Sequence, residues 1–143
     1  MSLGNIFDIA GSGMSAQTIR LNATASNLAN AETPAADESS AYRARYPVFE
    51  AVQKKAQGFD QQSSATAMSG VQVKGIVESD KSLQARFEPE HPLANDEGYV
   101  FYPNVNVVEE MTNMISASRS FQANVDVMNT TKMMMQRVLT LGQ

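Results

Sequence analysis

The chain's 143 residues include one histidine, His91, set in Glu90-His91-Pro92 with carboxylates near in sequence. Metal or general-base chemistry would need companions that are missing. There is no second histidine and no cysteine, so neither a zinc site nor a disulfide can be built. Held between Pro89 and Pro92, His91 reads as a solvated loop residue. The acidic pairs Glu78 with Asp80 and Asp96 with Glu97 could attract a cation weakly, but their spacing fits no calcium loop. Asp8 and Glu110 are the other acid–base candidates, and no catalytic partner accompanies either. Gly11-Ser12-Gly13 is too short for a phosphate-binding fingerprint, and no strand pattern precedes it. The methionines Met111, Met114, Met128, Met133, Met134 and Met135 offer an adaptable packing surface rather than a metal box. The residues predict no enzyme, no cofactor and no metal.

Composition narrows the remaining classes. Hydrophobic residues make up 43% and charged residues only 18%, so much polar surface could be buried against neighbours without trapping charge. The net charge of −4, with no basic run longer than Lys54-Lys55, argues against nucleic acid. No stretch is apolar enough to span or insert into a lipid bilayer. The opening residues lack a cationic segment before an apolar one, so export would have to proceed without a cleaved signal.

Since no side-chain constellation announces chemistry, the elements carry the information. Residues 107–141 contain neither Gly nor Pro, with Pro103 before them and Gly142 after. This predicts one helix, on the order of 50 Å long, too long for a chain of this size to wrap. Met111, Met114, Ser118, Phe121, Val125, Met128, Lys132, Met135 and Leu139 recur at alternating spacings of four and three, flanked by Val108, Ile115 and Val138. Met133 to Met135 cover most of one turn's circumference, so one buried face could not hold all three, which predicts neighbours on more than one side.

A second helix is predicted over residues 5–31. Its seam of Phe7, Ala10, Met14, Gln17, Leu21, Thr24, Leu28 and Ala31 is thin, with Ile6, Ile9 and Ala25 beside it. Asn22, Asn27 and Asn30 can hydrogen-bond across a contact. Thr33-Pro34 ends this helix. Between the helices, period-two alternation at Tyr42–Val52, Val71–Val77, Leu83–Phe87 and Tyr99–Tyr102 predicts short strands. Pro47 would mark an edge or break, and Gly75 a possible bulge. Residues 56–70 read as a flexible loop. The fold class is mainly α with a small β-rich insertion. The expected domains are a discontinuous helical one, residues 1–34 with 107–143, and a β-rich one, residues 35–106.

Two stretches then match a known family. Residues 12–31, Ser-Gly-Met-Ser-Ala-Gln-Thr-Ile-Arg-Leu-Asn-Ala-Thr-Ala-Ser-Asn-Leu-Ala-Asn-Ala, resemble the N-terminal signature of the flagellar rod, hook and hook-associated axial proteins. Residues 104–134, from Asn-Val-Asn-Val-Val-Glu-Glu-Met to Asn-Thr-Thr-Lys-Met-Met, resemble the partner motif. Tyr42-Arg-Ala-Arg, Pro47-Val-Phe-Glu and His91-Pro-Leu-Ala resemble the short proximal-rod members in particular. Many axial proteins carry Asn-x-x-Thr-Pro-Gly-Tyr after the first helix, whereas here Pro34 is followed by Ala35 and the next tyrosine is Tyr42.

The resemblance implies that the terminal helices pair as a coiled-coil-like inner core, stacked helically around an export channel, with the β module outside. It implies a subunit of the rod that transmits torque across the periplasm, exported by the flagellar type III apparatus. It also implies partners: further copies of the chain, the rod proteins FlgB, FlgF and FlgG, the adaptor FliE and MS-ring components. The expected assembly interface comprises Phe7, Met14, Leu21, Asn27, Leu28 and Asn30 on the first helix. On the second it comprises Met111, Met114, Ile115, Phe121, Asn124, Val125, Met128, Met135 and Leu139. The competing expectation is a helical adaptor that uses the same heptads for a single partner. Sedimentation separates the two, since the adaptor saturates at a closed complex and the rod subunit builds open assemblies.

Overall fold

The computed structural model describes residues 3–54 and 68–141. Its elements run α1 (Leu3–Ala29), β1 (Arg45–Lys54), β2 (Met68–Glu78), β3 (Gln84–Phe87), β4 (Tyr99–Tyr102) and α2 (Val107–Leu141). Two long helices thus bracket two small sheets, one of β1 with β2 and one of β3 with β4. The expected loop over 56–70 falls mostly outside the described residues; its last residues, 68–70, open β2.

Local chemistry explains the boundaries. Asn106 caps α2, its Oδ1 accepting from the backbone N–H groups of Val108 at 3.0 Å and Glu109 at 3.3 Å. Glu109 and Glu110 stand in the first turn, where the helix dipole favours acidic groups. At the end of α1, Asn30 Nδ2 donates to Ser26 O at 2.8 Å and the backbone tightens into turns before Pro34. Strand β1 starts at Arg45 rather than at Tyr42, and it runs through Pro47 without a break. Among the described residues β2 is its single sheet neighbour, so its other side tolerates a missing N–H.

The chain divides into two compact units, each taking part of both helices and of the β1–β2 pair. The first holds residues 1–19, 48–75 and 117–143. Ala10, Ala16 and Ala117 are buried in it, and the helices come so close that a Cβ on Gly13 would lie 3.0 Å from Asn124 Nδ2. Strand β2 is fastened to α1 there by Ser12, whose Oγ accepts from Val71 N–H at 3.1 Å and donates to Ile9 O at 2.8 Å.

The second unit holds residues 20–47 and 76–116. Strands β3 and β4 pair antiparallel, with Phe87 opposite Tyr99 and Gln84 opposite Tyr102. Ala35 adds a bridge to the other edge of β4, exchanging two backbone hydrogen bonds with Phe101 at 2.9 and 3.0 Å. The turn before β4 needs Gly98, whose φ of +80° lies in the left-handed region. Asn95 organises that turn by accepting from Glu97 N–H and Tyr99 N–H. His91 shapes the preceding loop rather than reaching out: its Nδ1 accepts from Leu93 N–H at 3.1 Å, and it is half-buried. Ala23, Ala41, Ala44, Val100, Pro103 and Val105 form the unit's buried apolar core.

Both cores are built from small residues. Among the described residues, the largest fully buried side chains are Glu110, Val100, Asn27 and Pro103. Among the described residues no Leu, Ile, Phe or Met reaches that class.

Candidate assembly interface

The helices meet through a polar seam whose centre is a closed hydrogen-bond cluster in the second unit. Asn27 on α1 is fully buried and uses its whole side-chain amide. Its Nδ2 donates to Arg45 O at 3.0 Å and to Glu110 Oε2 at 3.1 Å. Its Oδ1 accepts from Tyr42 O–H and from Arg45 N–H, both at 2.9 Å. All four hydrogen-bonding positions of the amide are therefore filled, which fixes its orientation. Glu110, also fully buried, takes its second hydrogen bond on Oε1 from Tyr46 O–H at 2.9 Å. One residue from each helix, Tyr42 ahead of β1 and the first two residues of β1 thus hold a single geometry. Arg20 extends the seam by donating to Asn113 Oδ1 at 3.3 Å, so α1 and the start of α2 run antiparallel.

Burial, then the hydrogen bond to Glu110, pushes the Tyr46 phenol up to about 12. Burial also raises Tyr42, with the nearby Arg45 guanidinium pulling the other way. Arg45 stacks over the Tyr42 ring at 5.6 Å and pairs with Glu78 through Nε and Nη2 at 3.1 and 2.9 Å. That ion pair is more than half exposed and contributes little by itself. The cluster holds no nucleophile, and both Glu110 oxygens are occupied from within. Among the described residues no group of His, Cys, Asp and Glu is placed to hold a metal.

The buried stripe of α2 differs from the one read from apolar spacing. Glu110, Met114, Ala117, Phe121, Asn124, Met128 and Thr131 face inward, with Val125 half-buried beside Asn124; of the expected seam, Met114, Phe121, Val125 and Met128 are thus covered. Ser118 and Lys132, expected on that seam, are exposed. The physical reason is the close approach of the helices, which selects Ala117, Asn124 and Thr131 over larger neighbours. On α1 the same holds for Ala10, Gly13, Ala16, Ala23, Thr24 and Asn27.

The expected interface residues consequently fall into three groups. Asn27 is buried within the chain. Phe7, Met14, Leu21, Leu28, Asn30, Met114, Phe121, Asn124, Val125 and Met128 are half-buried. Met111, Ile115, Met135 and Leu139 are exposed. Sequence reasoning placed Asn27 at the contact but missed its partners Glu110, Tyr46 and Tyr42. The available signal was a second stripe at seven-residue spacing through Glu110, Ala117, Asn124 and Thr131, which carries no hydrophobic periodicity.

What the seam leaves outside is large and apolar. Met133 is 53% exposed, Met134 55%, Val138 61% and Leu139 67%. Spacings of three, four and seven gather these side chains into ridges, one of Val108, Met111 and Ile115, another of Val127, Met134 and Val138. Fully burying one such side chain contributes roughly 1.5–3 kcal/mol, so each ridge can supply several kcal/mol to a contact. No helix among the described residues is long and apolar enough to cross a membrane.

Comparison with known proteins assigns this architecture. A family model described as "Flagella basal body rod protein" matches residues 7–36, and one described as "Flagellar basal body rod FlgEFG protein C-terminal" matches residues 96–141. The flagellar basal-body rod protein FlgC of Escherichia coli O6:H1 is 48% identical over 143 residues, covering all of both chains. That of Salmonella typhimurium is also 48% identical over the whole of both chains, and that of Bacillus subtilis 33% over 153 aligned residues, again covering both completely. These relatives are structural rod proteins of the basal body and not enzymes. The chain belongs to the FlgC family of flagellar basal-body rod proteins, and it is a structural subunit of that rod.

Proposed function

We propose that the chain joins the rod through the faces its own fold leaves apolar, stacking helically with neighbours to form a hollow shaft. In this reading the shaft transmits torque across the periplasm, and axial proteins pass along its bore. The subunit is itself exported by the flagellar type III system. Its neighbours are further copies, the rod proteins FlgB, FlgF and FlgG, the adaptor FliE and MS-ring components. The interface is the half-buried and exposed set from Phe7 to Leu139 named above, with Asn27 holding the helix pair that presents it.

The observation that carries this reading is the inversion of the helix pair: small and polar side chains inside, Met, Val, Ile and Leu outside. A free-standing bundle buries its large side chains. This one keeps them available on more than one side, as a subunit with several neighbours requires.

Phe121→Asp tests the reading. It places a charge on a half-buried apolar position of the seam. In a strain carrying only this variant, the chain is expected to be made and exported but missing from isolated basal bodies, with swimming abolished. Normal swimming and normal incorporation would remove Phe121 from the interface.

A further inference from the structure

In the first unit, α1 and the β1–β2 pair leave an open groove of about 200 Å³ between them. Ile9, Ser12, Val52, Gly70, Val71 and Gln72 line it, and its walls are mainly apolar. Asp8 also lines it and is exposed. Asp8 has no ion-pair partner among the described residues. Such a groove suits one or two apolar side chains accompanied by a cation. The same unit carries that combination elsewhere. Val127, Met134 and Val138 form one ridge of α2, 46%, 55% and 61% exposed. Arg137 follows Met134 by three residues and so lies beside it on the helix surface. Arg137 too is exposed and unpaired among the described residues.

We propose that this groove takes the ridge of Val127, Met134 and Val138 from a second copy of the chain, with that copy's Arg137 set against Asp8. Size, polarity and charge all match. Met134 and Val138, one helical turn apart, are about 5–6 Å from each other, which suits these two entering the groove with Val127 two turns back at its rim. The groove and the ridge are different surfaces, so the contact is heterologous. Each copy that donates its ridge still offers its groove, and the contact extends rather than closes. This deepens the assembly reading and rests on it, by naming one contact between copies.

The absence of cysteine from the chain makes the test clean. Two differently tagged full-length copies, one Gln72→Cys at the groove and one Met134→Cys on the ridge, are produced together in motile cells. Mild oxidation of isolated basal bodies is expected to link the two tagged chains. Gln72→Cys with Thr112→Cys, near the other end of α2, is expected to give no link. Asp8→Arg or Arg137→Asp alone should lower the yield roughly five-fold, the equivalent of about 1 kcal/mol for a rim ion pair, and the two together should restore it. The proposal is overturned by basal bodies that contain both chains yet show no link, by a link from Met134→Cys to a different rod protein instead, or by single charge swaps without effect. Incorporation is scored separately. Chains absent from the basal body count against the assembly reading, whereas chains present but unlinked count against the groove alone. Val138→Cys replaces Met134→Cys if the latter is not incorporated.

Discussion

Removing the Asn27 amide should disable the joint on which the helix pair depends. Asn27→Ala deletes four hydrogen bonds, two donated and two accepted. It leaves Glu110 Oε2 without its donor in a fully buried position. It also orphans the N–H and C=O of Arg45, while the half-buried Tyr42 hydroxyl can turn towards water. A buried group that loses its partner costs about 1–3 kcal/mol, more when charged, so the expected destabilisation is about 3–5 kcal/mol. That is comparable with the whole stability of many domains. Asn27→Asp should do at least as much damage. It keeps the acceptor oxygen for Tyr42 and Arg45 but sets a second carboxylate against Glu110 Oε2, 3.1 Å from the atom it replaces. Tyr42→Phe removes a single hydrogen bond and should cost only about 1 kcal/mol. Urea unfolding of the full chain, followed by circular dichroism, gives the order Tyr42→Phe, then Asn27→Ala, then Asn27→Asp. If Asn27→Ala proved as mild as Tyr42→Phe, the cluster would not be holding the helices, and the account of the seam would fail.

Other outcomes follow from the same geometry. Gly11→Ala meets nothing within 4 Å and should stabilise by roughly 0.5–1 kcal/mol through helix propensity, whereas Gly13→Val drives a Cβ to 3.0 Å from Asn124 and should cost about 1–3 kcal/mol. Paired thermal melts compare them directly. Folded Tyr46 stays neutral up to about 12 while the unfolded phenol ionises near 10.0. Its contribution is therefore complete below pH 10 and is lost as the pH climbs through about 12. The loss is at most about 2.7 kcal/mol, since solvent screening lowers it, and alkaline denaturation of Tyr46→Phe should lack this component. His91→Ala removes one acceptor within its own turn, and swimming should remain close to normal.

The long helices were legible because their signals are local. Pro103 ahead of α2 and the uninterrupted run after it gave Val107–Leu141, the bounds the structure shows. The strand alternation found β2, β3 and β4 within a few residues, because period-two patterns and turn residues also lie close together in the chain. The face that α2 turns to α1 was not legible. Hydrophobic periodicity points to Met111, Met135 and Leu139, yet at this close approach small size and hydrogen bonding outweigh apolarity, and Glu110, Ala117, Asn124 and Thr131 take the inside. Glu110 looked like an idle acid because its partners come from 64 and 83 residues away. Asn27 was found through its amide, but what it binds required the fold. The methionine triplet was the sequence feature that pointed outward: with exposures of 53%, 55% and 37%, none of the three is buried by its own chain.

The most direct test is methionine footprinting with dilute peroxide, read by peptide mass spectrometry, on the free chain and on isolated basal bodies. In the free chain, Met133 and Met134 should oxidise faster than the half-buried Met14, Met114 and Met128. In the assembled rod the same two should become as protected as the half-buried three. Met133 and Met134 remaining as reactive in the rod as in the free chain would contradict the claim that these outward apolar faces are where the rod is joined.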